Sequence, residues 1–392
     1  MRSYAGKGIL SFPGITDIKG SFKLTFNENG KVALVFTPEG SVPNEILNFS
    51  VDAGRFSGES VNSDYHVQID KIYLSKIHLG GTGDSRIELL IFHPVKIGYQ
   101  PLQSNDRIEL IRGFSNLLFW GTEITRRDDT FSRDIVKVTL DGKEARLVQL
   151  QDFEQIAEHL KEYKDVRTTS EFKVEGYCRE LNYLRELSES VQFLCSLASR
   201  NYVTAIYEDI YNKNKDVLSE TTLYPLKTYP YSTQIPLIDT SLHGVKDFKD
   251  YLECTYSRYE QFKTPLRLHY VIELFITSEI YSPMELQYLL TTTSLECLER
   301  HFRTWKNLPP LRGINSKTER LLDFFKVPYN RSETAFNQIR NSIVHEGRFP
   351  QSVDGFKSLL ELRNLLDRLF LVILGYKGKH YYNVVSRKKE LL

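Results

Sequence analysis

The stretch "GSFKLTFNENGKVALVFTPEG", residues 20–40, decides the first part of the fold. Phe22, Leu24 and Phe26 alternate with polar residues, and Val32, Leu34 and Phe36 resume the same two-residue period. Side chains of a strand point to opposite faces in turn, so each run presents one apolar face. Between them stands Asn29-Gly30, a pair that tolerates positive φ and closes a tight antiparallel hairpin.

Working outward, the same alternation returns in "YHVQIDKIYLSKIHLGG" (65–81), "SRIELLIFHPVKIGY" (85–99) and "DRIELIRGFSNLLFWGTEI" (106–124). A second hairpin, "DIVKVTLDGKEARLVQL" (134–150), turns at Asp141-Gly142. Many short strands separated by turns predict an antiparallel sandwich or barrel. "GGTGDS" (80–85) is rich in glycine but lacks the Lys-Ser/Thr of a phosphate loop, and strand-like runs flank it. It reads as a connection between strands. The β region is expected to end near Leu150, where "DFEQIAEHLKEY" begins a helix behind Asp152.

From about residue 176 the period changes. Leu181, Leu184, Leu187, Val191, Leu194 and Leu197 recur at steps of three and four, which marks a helix. Residues 212–240, with Pro225, Pro230 and Pro236, read as irregular. From about 245 to 378 six helical patterns follow, beginning at "GVKDFKDYLECTYSRYEQF" and ending at "VDGFKSLLELRNLLDRLFLVILGYK". The expected organisation is therefore α+β. A β-rich domain covers 1–150, a helical and irregular connector 151–244, and an all-α bundle with a basic tail 245–392.

The chain is 41% hydrophobic and 26% charged, enough to bury cores and far from a disordered composition. Its net charge of +1 gives no global signal for nucleic acid or membrane. The sign is unevenly spread: residues 1–245 sum to −5 and 246–392 to +6. The four cysteines, Cys178, Cys195, Cys254 and Cys297, form no C-x-x-C and no metal-ligand spacing, so no metal and no cofactor are expected. The longest apolar run, 369–376, is too short to cross a bilayer. With no leader-like N-terminus, the expected location is the cytoplasm, without a membrane partner.

The stretch that carries chemistry is "FNQIRNSIVHEG", residues 336–347. Ser332 is the expected N-cap, with Glu333 in the first turn, and Gly347 the stop. At about 100° per residue, Phe336, Ile339 and Ile343 share an apolar side. Arg340, Asn341 and His345 spread over roughly 140° of the polar flank. A histidine moves protons near neutral pH, a guanidinium grips a phosphate through paired hydrogen bonds, and an amide orients an oxygen without adding charge. That set suits attack of a ribose 2′-hydroxyl on its own phosphodiester, so the substrate class is RNA. A polar flank on an amphipathic helix also arises without any function.

Arg340-Asn-Ser-Ile-Val-His345 resembles the R-x4-6-H motif of HEPN domains, helical bundles many of which are metal-independent ribonucleases. The spacing stands at the short end of the family range. Glu296-Cys-Leu-Glu-Arg300 is similar to the E-x3-K/R element of the same family, with both ends able to pair along one helix face. A β-rich region followed by such a bundle resembles the ApeA-like abortive-infection proteins of bacterial anti-phage defence. The resemblance implies an endoribonuclease acting on host or phage RNA, transfer RNA among the candidates. It also implies a homodimer through the helical domain and a phage-derived trigger sensed by the β domain. It implies Arg340, Asn341 and His345 as catalytic and Glu296 and Arg300 as supporting residues. The basic tail offers Tyr381, Tyr382, Arg387, Lys388 and Lys389 as further RNA contacts, or a solvated terminus. Two other readings stay open. The helical part is a non-catalytic dimerisation or nucleotide-binding module, or the β domain is a ligand-binding sandwich.

Overall fold

The structure, a computed structural model, describes residues 1–47, 52–78, 85–127, 130–150, 153–163, 165–225, 231–232, 234–280, 283–377 and 379–392, with side chains left aside at 124–132. Residues 80–84 of the glycine-rich stretch, and Asp152, therefore lie outside the described residues. The chain divides into two units, each built from several segments. Unit 1 comprises 1–115, 165–185 and 204–228; unit 2 comprises 116–164, 186–203 and 229–392.

Unit 1 is the antiparallel β region. Its strands are β1 (Arg2–Ser11), β2 (Ile18–Phe26), β3 (Val32–Pro38), β4 (Gly54–Ser60), β5 (His66–His78), β6 (Arg86–Ile91), β7 (Val95–Gly98) and β8 (Arg107–Ser115), with a single helical turn α1 (Asn44–Leu47). The β2–β3 hairpin forms as the sequence indicates: Gly30 takes φ +75° and Phe22 pairs with Phe36 across the ladder. The pairings β1–β2, β2–β3, β3–β6, β6–β5, β5–β4 and β4–β1 form a closed ring, a six-stranded barrel. Its inward residues include Leu10, Phe22, Leu24, Leu34, Phe36, Phe56, Ile69 and Ile87, all buried. Alternation thus fills the barrel core with apolar side chains. A side chain at Gly58 would meet the Phe22 ring at 2.6 Å, so glycine admits the close approach there.

From β5 the sheet continues through β7 to three more strands. These are β12 (Thr168–Tyr177), β13 (Ala205–Asn212) and β14 (Val217–Leu223), in the order β5-β7-β14-β13-β8-β12. They fall where the sequence reading placed a helical and irregular connector. β13 and β14 form a hairpin with each other, but β12 and β13 pair with β8, and β14 with β7, strands more than 50 residues back, a signal that no local window carries. Arg112 on β8 and Glu208 on β13 are buried and hydrogen-bonded at 2.5 Å. Arg185 donates to the same Glu208 at 2.7 Å and to Glu220 at 2.8 Å.

Unit 2 holds the helical region. It includes the meander β9 (Glu123–Arg127), β10 (Thr130–Leu140) and β11 (Lys143–Gln149), turning at Asp141 and Gly142 with φ of 49° and 74°. Two successive positive φ values are the signature the Asp-Gly pair indicates. Its helices are α2 (Phe153–Tyr163), the part of α3 (Leu181–Ser199) from Glu186 onward, α4 (Val245–Lys263), α5 (Leu268–Ser278), α6 (Met284–Trp305), α7 (Ile314–Phe325), α8 (Asn337–Glu346) and α9 (Gly355–Ile373). Leu194, Phe248, Leu252, Phe275, Leu295, Leu298, Leu322, Leu365 and Phe370 are all buried in its core. Among the described residues no helix is long and apolar enough to cross a membrane.

The core of unit 2 also holds charge. Arg200 bonds Asp367 on α9, and Arg363 lies 3.9 Å from Glu279 at the end of α5. Arg363 also donates to Gln287 at 3.0 Å. Burial pushes the Glu279 carboxyl up to about 7, overriding the pull of Arg363 and Arg200. Burial likewise raises Asp367 and lowers Arg363 from their ordinary values.

The C-terminal tail is a hairpin, β15 (His380–Asn383) and β16 (Lys388–Leu391), with Arg387 at φ +56° in its turn. Tyr382 N–H donates to the Leu237 carbonyl at 2.8 Å, and Lys389 reaches Asp239 at 2.5 Å and Asp247 at 3.6 Å. A solvated, frayed terminus is thus replaced by an ordered one.

Candidate active site on the α6 and α8 helices

The segment entering α8 starts earlier and breaks once. Asn330, not Ser332, caps the first turn, a 3-10 helix at Arg331–Thr334. The Asn330 side chain accepts from the Glu333 backbone, and Glu333 accepts from the Asn330 N–H at 2.7 Å. The chain leaves helical form at Ala335 and re-enters it at Asn337, so the α-helix begins later than the sequence pattern indicates. Arg368 on α9 grips this entry through Glu333 and donates to the Pro328 carbonyl at 2.5 Å. Thr334 donates to Glu319 on α7 at 3.0 Å. The entry to α8 is therefore tied to two helices.

α8 is anchored by Phe336 and Ile343, both 4% exposed, while Ile339 is half-buried. Gly347 ends the helix at φ +73°, its N–H donating to the Ile343 carbonyl. On the other flank Arg340 is half-buried, and Asn341 and His345 are exposed. The flank assignment of the sequence pattern is the one the structure shows.

Arg340 does not stand alone. Its Nε lies 3.0 Å from one Glu296 oxygen and its Nη2 donates to the other at 3.3 Å. This two-point pair joins α8 to α6 and leaves Nη1 without a hydrogen bond among the described residues. The sequence reading paired Glu296 with Arg300 along α6. Instead Glu296 turns to Arg340, and Arg300 is exposed without an ion pair among the described residues. A carboxylate that holds Nε and one face of Nη2 fixes the guanidinium plane while Nη1 remains free to donate. The neighbour Glu346 lies 3.8 Å from Arg348.

The tail residues behave differently from one another. Tyr381 is 3% exposed and has no face to offer a base. Lys389 is committed to two aspartates, Tyr382 is half-buried, and Arg387 and Lys388 are exposed. Among the described residues, no hydrogen bond or ion pair joins the tail residues to Arg340, whose partner is Glu296. Arg368 escaped the sequence reading because its signal is a contact across 35 residues, inside a helix whose pattern reads as apolar.

No family model matches this chain, and no curated protein matches it. Among solved structures, it is similar to a crystal structure of Hcp2 from Salmonella typhimurium. The match has 14% identity and a TM-score of 0.19, over 24% of this chain and 86% of that one. A likeness that slight carries no argument.

Proposed function

We propose that this chain is a metal-independent endoribonuclease of the HEPN type, with α8 carrying the reacting groups. The observation that supports it most is the side-on Arg340–Glu296 pair, which orients a guanidinium beside the exposed Asn341 and His345. Arg340 Nη1 grips a non-bridging phosphate oxygen and stabilises the charge that builds up on it. The 2′-oxygen attacks phosphorus as the bond to the 5′-oxygen breaks, leaving a 2′,3′-cyclic phosphate and a 5′-hydroxyl. His345 accepts the 2′-hydroxyl proton or delivers one to the leaving oxygen, and Asn341 orients the phosphate. One chain supplies one histidine. A two-fold dimer through the helical unit supplies its counterpart. The biological setting, an effector of abortive infection released by a phage-derived trigger, follows from the resemblance of the motif and the domain order.

The test is cleavage of RNA by the purified protein and by His345→Ala, in EDTA, with product ends mapped. Removing a general acid or base costs roughly a hundredfold or more. The expected result is cyclic phosphate ends from the wild type and a loss of that size in the variant at unchanged thermal stability. Undiminished cleavage by His345→Ala sinks the assignment.

A further inference from the structure

One turn beyond Glu296 on α6, the side chains change character. Arg300 and His301 follow there, and α5, which packs on α6, begins with Arg267 and His269. These groups lie close enough together to affect one another. The proton affinity of His301 is lowered by burial and then by the positive charges of Arg267, Arg300 and His269. Arg267, Arg300 and His301 make no ion pair among the described residues, although the chain as a whole balances 51 basic residues with 50 acidic ones. Gathering like charges without partners is unfavourable in the free protein and favourable when an anion arrives. Arg267 is also held at φ +47°, a left-handed conformation that costs a non-glycine residue free energy and occurs at few positions.

Beside this cluster opens a cleft of about 340 Å³, lined by Lys263, Thr264, Arg267 and His269 on one side. Its α3 wall carries Glu186, Glu189, Ser190 and Phe193, and Tyr259 of α4 completes the lining. Lys263 is already neutralised by Glu260 at 2.7 Å. The cations without an ion pair among the described residues are therefore Arg267, which shares the cleft with the two glutamates, and Arg300 on α6. Tyr270, 47% exposed and next to His269, adds an aromatic face. Unpaired cations with an exposed aromatic are what a single strand needs, charge for its phosphates and a ring for a base.

We propose that Arg267, His269, Arg300 and His301 form a phosphate-binding track for single-stranded RNA. It leads along α6 to the Arg340–Glu296 pair. This rests on the ribonuclease reading of α8 and names the surface by which the substrate approaches. Arg300 is about 40° round α6 from Glu296 and one turn further on, so a strand gripped there passes directly to Arg340.

The experiment measures binding of a labelled single-stranded oligoribonucleotide to the full chain by fluorescence anisotropy across a salt series, alongside cleavage of the same RNA. The variants are Arg267→Glu with Arg300→Glu, and Arg267→Gly, which removes the charge while accepting the left-handed backbone. The double reversal is expected to weaken binding by on the order of tenfold. It should also lower the salt slope by about 1.4, from the roughly 0.7 that each phosphate contact contributes. Arg267→Gly should weaken binding less, with no loss of thermal stability. Unchanged affinity and slope in the double variant overturn the track even where the wild type cleaves RNA, and so does a wild type that binds no RNA. Weakened binding with no cleavage by any form upholds the track and removes the ribonuclease reading instead. An equal gain or loss for anionic lipid vesicles and RNA would point to unspecific charge and overturn the assignment.

Discussion

Two arginine–carboxylate pairs in unit 2, Arg200–Asp367 and Arg340–Glu296, use the same chemistry under opposite conditions. The first is 1% and 0% exposed; the second is 31% and 35% exposed. In the buried pair desolvation dominates: Asp367 is raised although a guanidinium touches it, and the neighbouring Glu279 and Arg363 shift toward neutrality. Polar atoms of Arg200, Asp367, Arg363 and Glu279 are left without hydrogen-bond partners among the described residues. Such a cluster stores cost and fixes packing, but no ligand reaches it. The half-exposed pair costs little and stabilises little, yet it aims a donor at solvent. The difference separates a pair that organises the core from one suited to chemistry.

The comparison can be broken first at the buried end. Arg200→Ala leaves Asp367 buried and uncompensated, and about 3–5 kcal/mol of stability should be lost in chemical denaturation. A loss below about 1 kcal/mol would put the two pairs on the same footing. The next effect depends on pH. Glu279 has a folded pKa raised from 4.5 to about 7. Its ionisation disfavours the folded state, so its contribution to stability declines as pH rises from 4.5 to 7 and is flat above. Glu279→Gln lacks that decline. Relative to the wild type it should gain about 3 kcal/mol between pH 4.5 and pH 8, read from melting curves across the range. A constant difference between the two proteins would show that Glu279 titrates normally. The smallest effect is at the exposed pair. Glu296→Gln should change stability by less than about 1 kcal/mol. In a cleavage assay it should lower kcat about tenfold, because a loosened guanidinium no longer holds its plane. A stability loss as large as that of Arg200→Ala, with unchanged kcat, would reverse the roles assigned to the two pairs.

Local features were legible. The Asn29-Gly30 and Asp141-Gly142 hairpins, and helices α4 to α9, follow from periodicity and turn chemistry that act within a few residues. The polar flank of α8 was equally readable, since a helix of known period needs no partner to place its faces. What failed to show was everything decided at long range. Strand β13 buries Glu208 and Asp209 where a strand pattern asks for apolar residues, because Glu208 meets Arg112 and Arg185 and Asp209 meets Arg2, all contributed from elsewhere in unit 1. The tail hairpin turns on Arg387, not on a glycine. At the site, Glu296 has an arginine one turn away in sequence and another across the helix interface. Only packing chooses the second.

The segmental make-up of the two units has a practical consequence. The chain passes from one unit to the other five times, at 115/116, 164/165, 185/186, 203/204 and 228/229. No single cut therefore releases either unit whole. A fragment ending at residue 150 keeps the barrel but loses β12, β13 and β14, and strips β8 of both neighbours. A fragment beginning at 245 drops Arg200 and leaves Asp367 without its partner. Dissection by truncation would report on damaged sheets and cores, so roles for the two units are better separated by point substitutions in the intact chain.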